Sequence, residues 1–134
     1  MIKDSEDQKN LILYRSTSVF VVLNKFPYTN GHLMIVPYDH VSNLSDLDSE
    51  KMLDLLSTTS KAIQWLSASM NPQGYNIGMN LGKIAGAGLE NHIHMHVVPR
   101  WLGDLNFMTC ISETRIISES LSENYQSILN VIKS

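Results

Sequence analysis

Read for hydrophobic periodicity, the chain divides into short β-type runs around one long helical pattern. Val19-Phe20-Val21-Val22-Leu23 is β-branched and aromatic and stops at Asn24, before the turn-forming stretch Lys25-Phe26-Pro27-Tyr28-Thr29-Asn30-Gly31. His32-Leu33-Met34-Ile35-Val36-Pro37 gives a second strand closed by proline. Together they predict an antiparallel hairpin with a long connection, with Asn24 and His32 facing each other across its mouth. From Asp48 to Met70, the residues Met52, Leu55, Leu56, Ile63, Leu66 and Met70, with Thr59 and Ala62 between, recur at helical spacing. Asp48 or Ser49 can cap this helix, Trp65 falls on its core face or edge, and Asn71-Pro72-Gln73-Gly74 ends it. Tyr75 to Asn80 predicts a short strand, and His92 to Pro99 another, with a glycine-rich stretch from Gly82 to Gly88 between them. Arg115-Ile116-Ile117 reads as extended, and Leu121, Tyr125, Ile128, Leu129 and Ile132 mark an amphipathic helix after serine caps.

Composition narrows the class. With 134 residues, 43% apolar and 17% charged, the chain is expected to fold as one globular domain rather than remain disordered. A net charge of -3 provides no general attraction to nucleic acid or to an anionic membrane, so any phosphate-binding surface must be a local set of donors. No stretch approaches the roughly 20 apolar residues of a membrane span, and the start is polar and acidic rather than a signal sequence. The single cysteine, Cys110, can form no internal disulfide and reads as an inert buried thiol. A cytoplasmic protein with a small-molecule partner is the expectation.

The chemistry concentrates in His92-Ile93-His94-Met95-His96, which holds three of the five histidines. On a strand, alternate side chains share a face, so the three imidazoles would line one side while Ile93, Met95 and Val97 enter the core. At about 3.3 Å per residue, successive same-face histidines lie roughly 6 to 7 Å apart, a spacing suited to an extended phosphate chain. Imidazole can act near neutral pH as nucleophile, acid, base or donor. A zinc or iron site is the rival reading of alternating histidines; Glu90 and Asp104 are the nearest acidic residues, and spacing alone does not exclude it. Gly86-Ala87-Gly88 could expose backbone N–H groups to phosphate.

The segment His92-Ile93-His94-Met95-His96-Val97-Val98 resembles the motif of the histidine triad (HIT) family. The likeness extends to Asn24, Pro27, Gly31, His32 and Pro37, and to Asn80-Leu81-Gly82. Downstream, Pro99-Arg100-Trp101 and Gly103-Asp104-Leu105-Asn106-Phe107-Met108 resemble the branch containing diadenosine tetraphosphate phosphorylases and Fhit-like hydrolases. The resemblance implies an α+β, HIT-like fold over residues 1–134. In it, an antiparallel sheet of about five strands carries one long helix on one face, the catalytic strand lies inside, and a C-terminal helix follows. It implies that His94 attacks the α-phosphorus and forms a covalent nucleotidyl-histidine, which water or phosphate resolves. By the same likeness His92 orients the site, and His96 and His32 donate to phosphate oxygens. Asn24 would contact the ribose, Asn80 the α-phosphate or leaving group, and Trp101 could stack on a base. Many relatives carry Ser, Thr or Gln near the triad to assist the leaving group, whereas Gly88-Leu89-Glu90-Asn91 offers no hydroxyl, so the leaving-group acid is unassigned.

The expected substrates are dinucleoside polyphosphates, split by phosphorolysis or hydrolysis. Nucleoside phosphoramidates, or a purine-nucleotide-binding module without efficient turnover, are the alternatives. No metal is assigned and no cofactor is firmly implied, although magnesium could accompany the substrate phosphates. Neither nucleic acid nor membrane is an expected partner; a homodimer is.

Overall fold

The computed structural model describes residues 4–25, 30–86, 92–103 and 114–134. Its elements are α1 (Asp4–Lys9), β1 (Ile12–Arg15), β2 (Val19–Leu23), β3 (Leu33–Pro37), α2 (Ser49–Met70), β4 (Gly74–Gly78), β5 (Met95–Arg100) and α3 (Thr114–Lys133). The five strands form one antiparallel sheet in the order β1-β2-β3-β5-β4, so β5 lies inside it.

The pleat sorts side chains between two faces. Val19, Val21, Leu23, Leu33, Ile35 and Val97 are buried against Leu55, Ala62 and Leu66 of α2 and Tyr125, Ile128 and Leu129 of α3. Phe20, Val22, Met34, Val36 and His96 alternate with them and are only half-buried, which leaves the face opposite α2 open for chemistry. The carboxylate of Asp48 caps α2 by accepting from the Lys51 N–H at 2.9 Å, and Asn71 ends it in a left-handed conformation. Trp65 packs at the edge of the core against Tyr14, ring centroids 5.0 Å apart, whereas Leu56 points outward.

Three expectations are corrected. The first strand of the sheet is Ile12–Arg15, which pairs with β2, while Arg115–Ile117 belongs to α3. A pair of apolar residues has no decisive period, and the amphipathic pattern that follows carries it into the helix. The strand expected from His92 begins only at Met95. The β3–β5 register pairs Leu33 with Val97 and Ile35 with Met95, which would put Pro37 opposite Ile93. Proline has no N–H for the ladder, and the Ile93 N–H donates instead to the Val41 carbonyl at 2.9 Å. The strand expected over Tyr75–Asn80 runs from Gly74 and stops at Gly78, the partner of His96.

Candidate functional site

The hairpin mouth forms as the hydrophobic pattern predicts. The Asn24 N–H donates to the His32 carbonyl at 2.8 Å, which closes the β2–β3 ladder one pair beyond the strands. Gly31 precedes His32 with φ +74°, and a Cβ there would lie 2.6 Å from the Met70 sulfur, so the chain passes tightly over the end of α2 before delivering His32 to the open face.

Four polar side chains then fall into line. The Asn24 amide Nδ2–H donates to Nδ1 of His32 at 3.1 Å. An accepting Nδ1 leaves the His32 proton on Nε2, which donates to Nδ1 of His96 at 2.9 Å. By the same logic His96 carries its proton on Nε2 and presents that N–H outward. The His96 and His94 rings meet edge-on with centroids 4.6 Å apart. The Nδ1–H of His94 donates to the His92 carbonyl at 3.0 Å, so the lone pair of its imidazole sits on Nε2. Nε2–H of His92 donates to the Pro37 carbonyl at 2.9 Å. The evenly spaced comb expected of a regular strand is therefore broken. His94 and His96 converge with His32, while His92 turns toward the end of β3, because the ladder that would have kept it straight stops at Pro37.

His40, which is not among the residues that the triad motif singles out, has its ring edge-on to His92 with centroids 4.9 Å apart. The signal was its place three residues after the proline that closes β3. The remaining expected residues are less tightly gathered. Asn80 is exposed, and its amide lies 3.7 Å from where a Cβ on Gly86 would be; Gly86 itself, at φ +92°, closes a 3-10 turn over Lys83–Ala85. Trp101 follows β5 and is half-buried. Gly88, Pro27, Leu89, Glu90, Cys110 and the stretch 104–108 lie outside the described residues.

Burial lowers the pKa of His32 to about 4, with the neighbouring His96 and His94 adding to the effect, and burial with His94 also lowers that of His96. Both are thus neutral at pH 7, the state in which one imidazole can accept on one nitrogen and donate from the other. An unfolded histidine titrates near 6.5, so between pH 6.5 and 4 the unfolded chain holds more protons than the folded one. Stability is then full above pH 6.5 and falls with pH through that window, by on the order of 2 kcal/mol once solvent screening of the partly exposed His32 is allowed for. Urea unfolding midpoints measured at steps across that window check this; a flat profile would mean that the His32 imidazole is as well solvated as in the unfolded chain.

Beside Asn24 lies a pocket of about 250 Å³, with Leu11, Val22, Leu23 and Met34 as apolar lining, Asn10 and Asn24 as polar groups, and the exposed Lys9 and Lys25 also on its border. Apolar walls with a few placed polar groups are what a small organic ligand needs. Among the described residues no three His, Cys, Asp or Glu side chains are grouped to hold a metal ion. Nor, among the described residues, is any helix long and apolar enough to cross a membrane.

A HIT domain family model matches residues 5–101. The chain is 43% identical over 122 residues to an AP-4-A phosphorylase of Mycobacterium tuberculosis, covering 91% of this chain and 63% of that protein. It is 27% identical over 113 residues to an asymmetrical bis(5'-nucleosyl)-tetraphosphatase of Schizosaccharomyces pombe, covering 84% of this chain and 58% of that one. It thus spans less than two thirds of either relative. Among solved structures, a diadenosine triphosphate hydrolase of Plasmodium falciparum superposes with a TM-score of 0.76 at 21% identity, over 93% of this chain and 78% of the other, which shows the shared fold.

Proposed function

The chain belongs to the HIT domain, or histidine triad, family, and on that premise we propose that it is an enzyme that splits dinucleoside polyphosphates by nucleotidyl transfer through His94. The observation that carries this reading is the tautomer pattern. His94 has its Nδ1–H committed to a backbone carbonyl and its Nε2 lone pair unclaimed among the described residues, beside a neutral His96 that offers an N–H. That is a nucleophile next to a donor for the charge that develops on phosphate oxygens.

In the first step Nε2 of His94 attacks the α-phosphorus. A P–N bond forms, the P–O bond to the rest of the polyphosphate breaks, and the departing oxygen keeps the electron pair. Attack by water or phosphate then breaks the P–N bond and frees the imidazole. The nucleoside of the transferred group would sit in the pocket beside Asn24. The 43% likeness to a phosphorylase supports phosphate as the second acceptor. Incubation with diadenosine tetraphosphate and phosphate is then expected to yield ATP plus ADP. ATP plus AMP in the absence of phosphate would assign hydrolysis instead. No His94-dependent product from this substrate or from a nucleoside phosphoramidate would leave a nucleotide-binding module.

We also propose a cytoplasmic homodimer. The exposed Ile77 on edge strand β4 supports such an assembly, because an open sheet edge readily pairs with another chain. Light scattering should give close to twice the 15.1 kDa chain mass.

A further inference from the structure

We infer that Asp7 and Arg15 are positioning residues for nucleotide binding: their ion pair clamps α1 and the turn that follows it, and that turn forms one wall of the pocket beside Asn24. The inference rests on the nucleotide reading of that pocket.

The wall consists of Lys9, Asn10 and Leu11, which end α1 and lead into β1. Nothing intrinsic to it is stable. A six-residue helix is far below the length at which a helix persists alone, and Leu11 holds φ +64°, a left-handed conformation unfavourable for a branched side chain. Local bonds maintain the shape: the Leu11 N–H donates to the Gln8 carbonyl at 3.2 Å, and the Leu11 carbonyl accepts the Leu23 N–H at 2.9 Å. Those bonds define the turn but leave the body of α1 to be held from elsewhere.

Arg15 supplies that hold. Its Nε–H and Nη2–H donate to the two carboxylate oxygens of Asp7 at 3.1 and 2.9 Å, a two-point contact that fixes direction as well as distance. Asp7 is 1% exposed while the Arg15 side chain is partly exposed, so the contact is made at the edge of the core with the carboxylate on its inner side. The guanidinium is itself anchored to the sheet. Its carbon lies 5.9 Å from the centre of the Phe20 ring and 6.0 Å from that of Tyr38, and Nη1–H donates to the Tyr38 hydroxyl at 3.3 Å. Tyr38 follows Pro37, whose carbonyl receives His92. One arginine therefore ties the pocket wall to the same end of β3 that orients the first histidine of the triad, although neither Asp7 nor Arg15 lines the pocket.

The test compares the full chain with Asp7→Asn, which keeps the shape of the side chain and removes its charge, and with Asp7→Leu/Arg15→Met, an apolar pair that replaces the buried carboxylate and its partner by packing. For Asp7→Asn, the Kd for AMP by calorimetry and the KM for diadenosine tetraphosphate are each expected to rise about tenfold, while kcat at saturation stays within about twofold of the parent. The apolar pair should recover the unfolding midpoint while Kd and KM stay raised, because packing without a directional contact lets the wall drift. Should Asp7→Asn not fold, the apolar pair carries the same readings. Parent-like Kd and KM in the folded variants would overturn the inference. So would activity that merely follows the folded fraction and returns in full with the apolar pair. If the parent shows no His94-dependent turnover but Asp7→Asn still weakens AMP binding, the enzyme reading falls and the clamp stands; a parent that binds no AMP overturns the clamp.

Discussion

Replacing His94 by alanine is expected to lower turnover of diadenosine tetraphosphate by at least about 10⁴-fold while leaving AMP affinity within a few-fold of the parent. The size follows from the role: without a side-chain nucleophile the two-step path disappears, and only the positioning of substrate by the rest of the site remains. The affinity is spared because the pocket beside Asn24 is walled by β2, β3 and the α1–β1 turn, none of which carries His94. A mass measurement on acid-free quenched enzyme should find one nucleotidyl group on the parent and none on His94→Ala. Retention of turnover in the variant would remove the covalent mechanism outright.

The next largest effect is expected at His96, where alanine should lower kcat by about 10² to 10³-fold, the range found when a single donor to a developing charge is deleted. His96→Gln should recover part of the loss, because an amide N–H can take the place of the imidazole N–H. The reason for so large a contribution lies behind His96. Asn24 donates to His32 and His32 donates to His96, so the outward N–H is held in one tautomer by a line of bonds of 3.1 and 2.9 Å. Donors aligned in sequence polarise one another, and Asn24→Ala and His96→Ala should therefore couple when combined: the double variant should lose less than the product of the single losses. Strict multiplicativity would show that His96 acts without its supporting line.

These two residues also mark how far the primary structure can be read. The histidine cluster, the hairpin that sets Asn24 against His32, and the long helix capped at Asp48 are local facts: each depends on residues within one run and on periods of 2 or 3.6, which sequence displays directly. The family resemblance of His92–Val98 carried the fold class with them, and the sheet and helices agree with it. The opening Ile12–Arg15 strand was not legible, since four residues carry little period of their own and this strand exists by pairing with β2. Nor was the inward turn of His92, which required knowing that Pro37 falls opposite Ile93. That register is a relation between residues more than fifty positions apart.

What the sequence determined alone was therefore the chemistry available: an imidazole cluster, an amide facing a fourth histidine, and an amphipathic helix to cover one face of a sheet. What only the tertiary structure decided was which nitrogen of each imidazole is committed. It also decided that His40 and not only the triad approaches the site, and that Asp7 and Arg15 brace a wall they do not line. Tautomers, ring approaches and a two-point ion pair depend on distances of about 3 Å between segments remote in the chain. No local pattern encodes such distances; they are set when the strands choose their register and the core closes behind them.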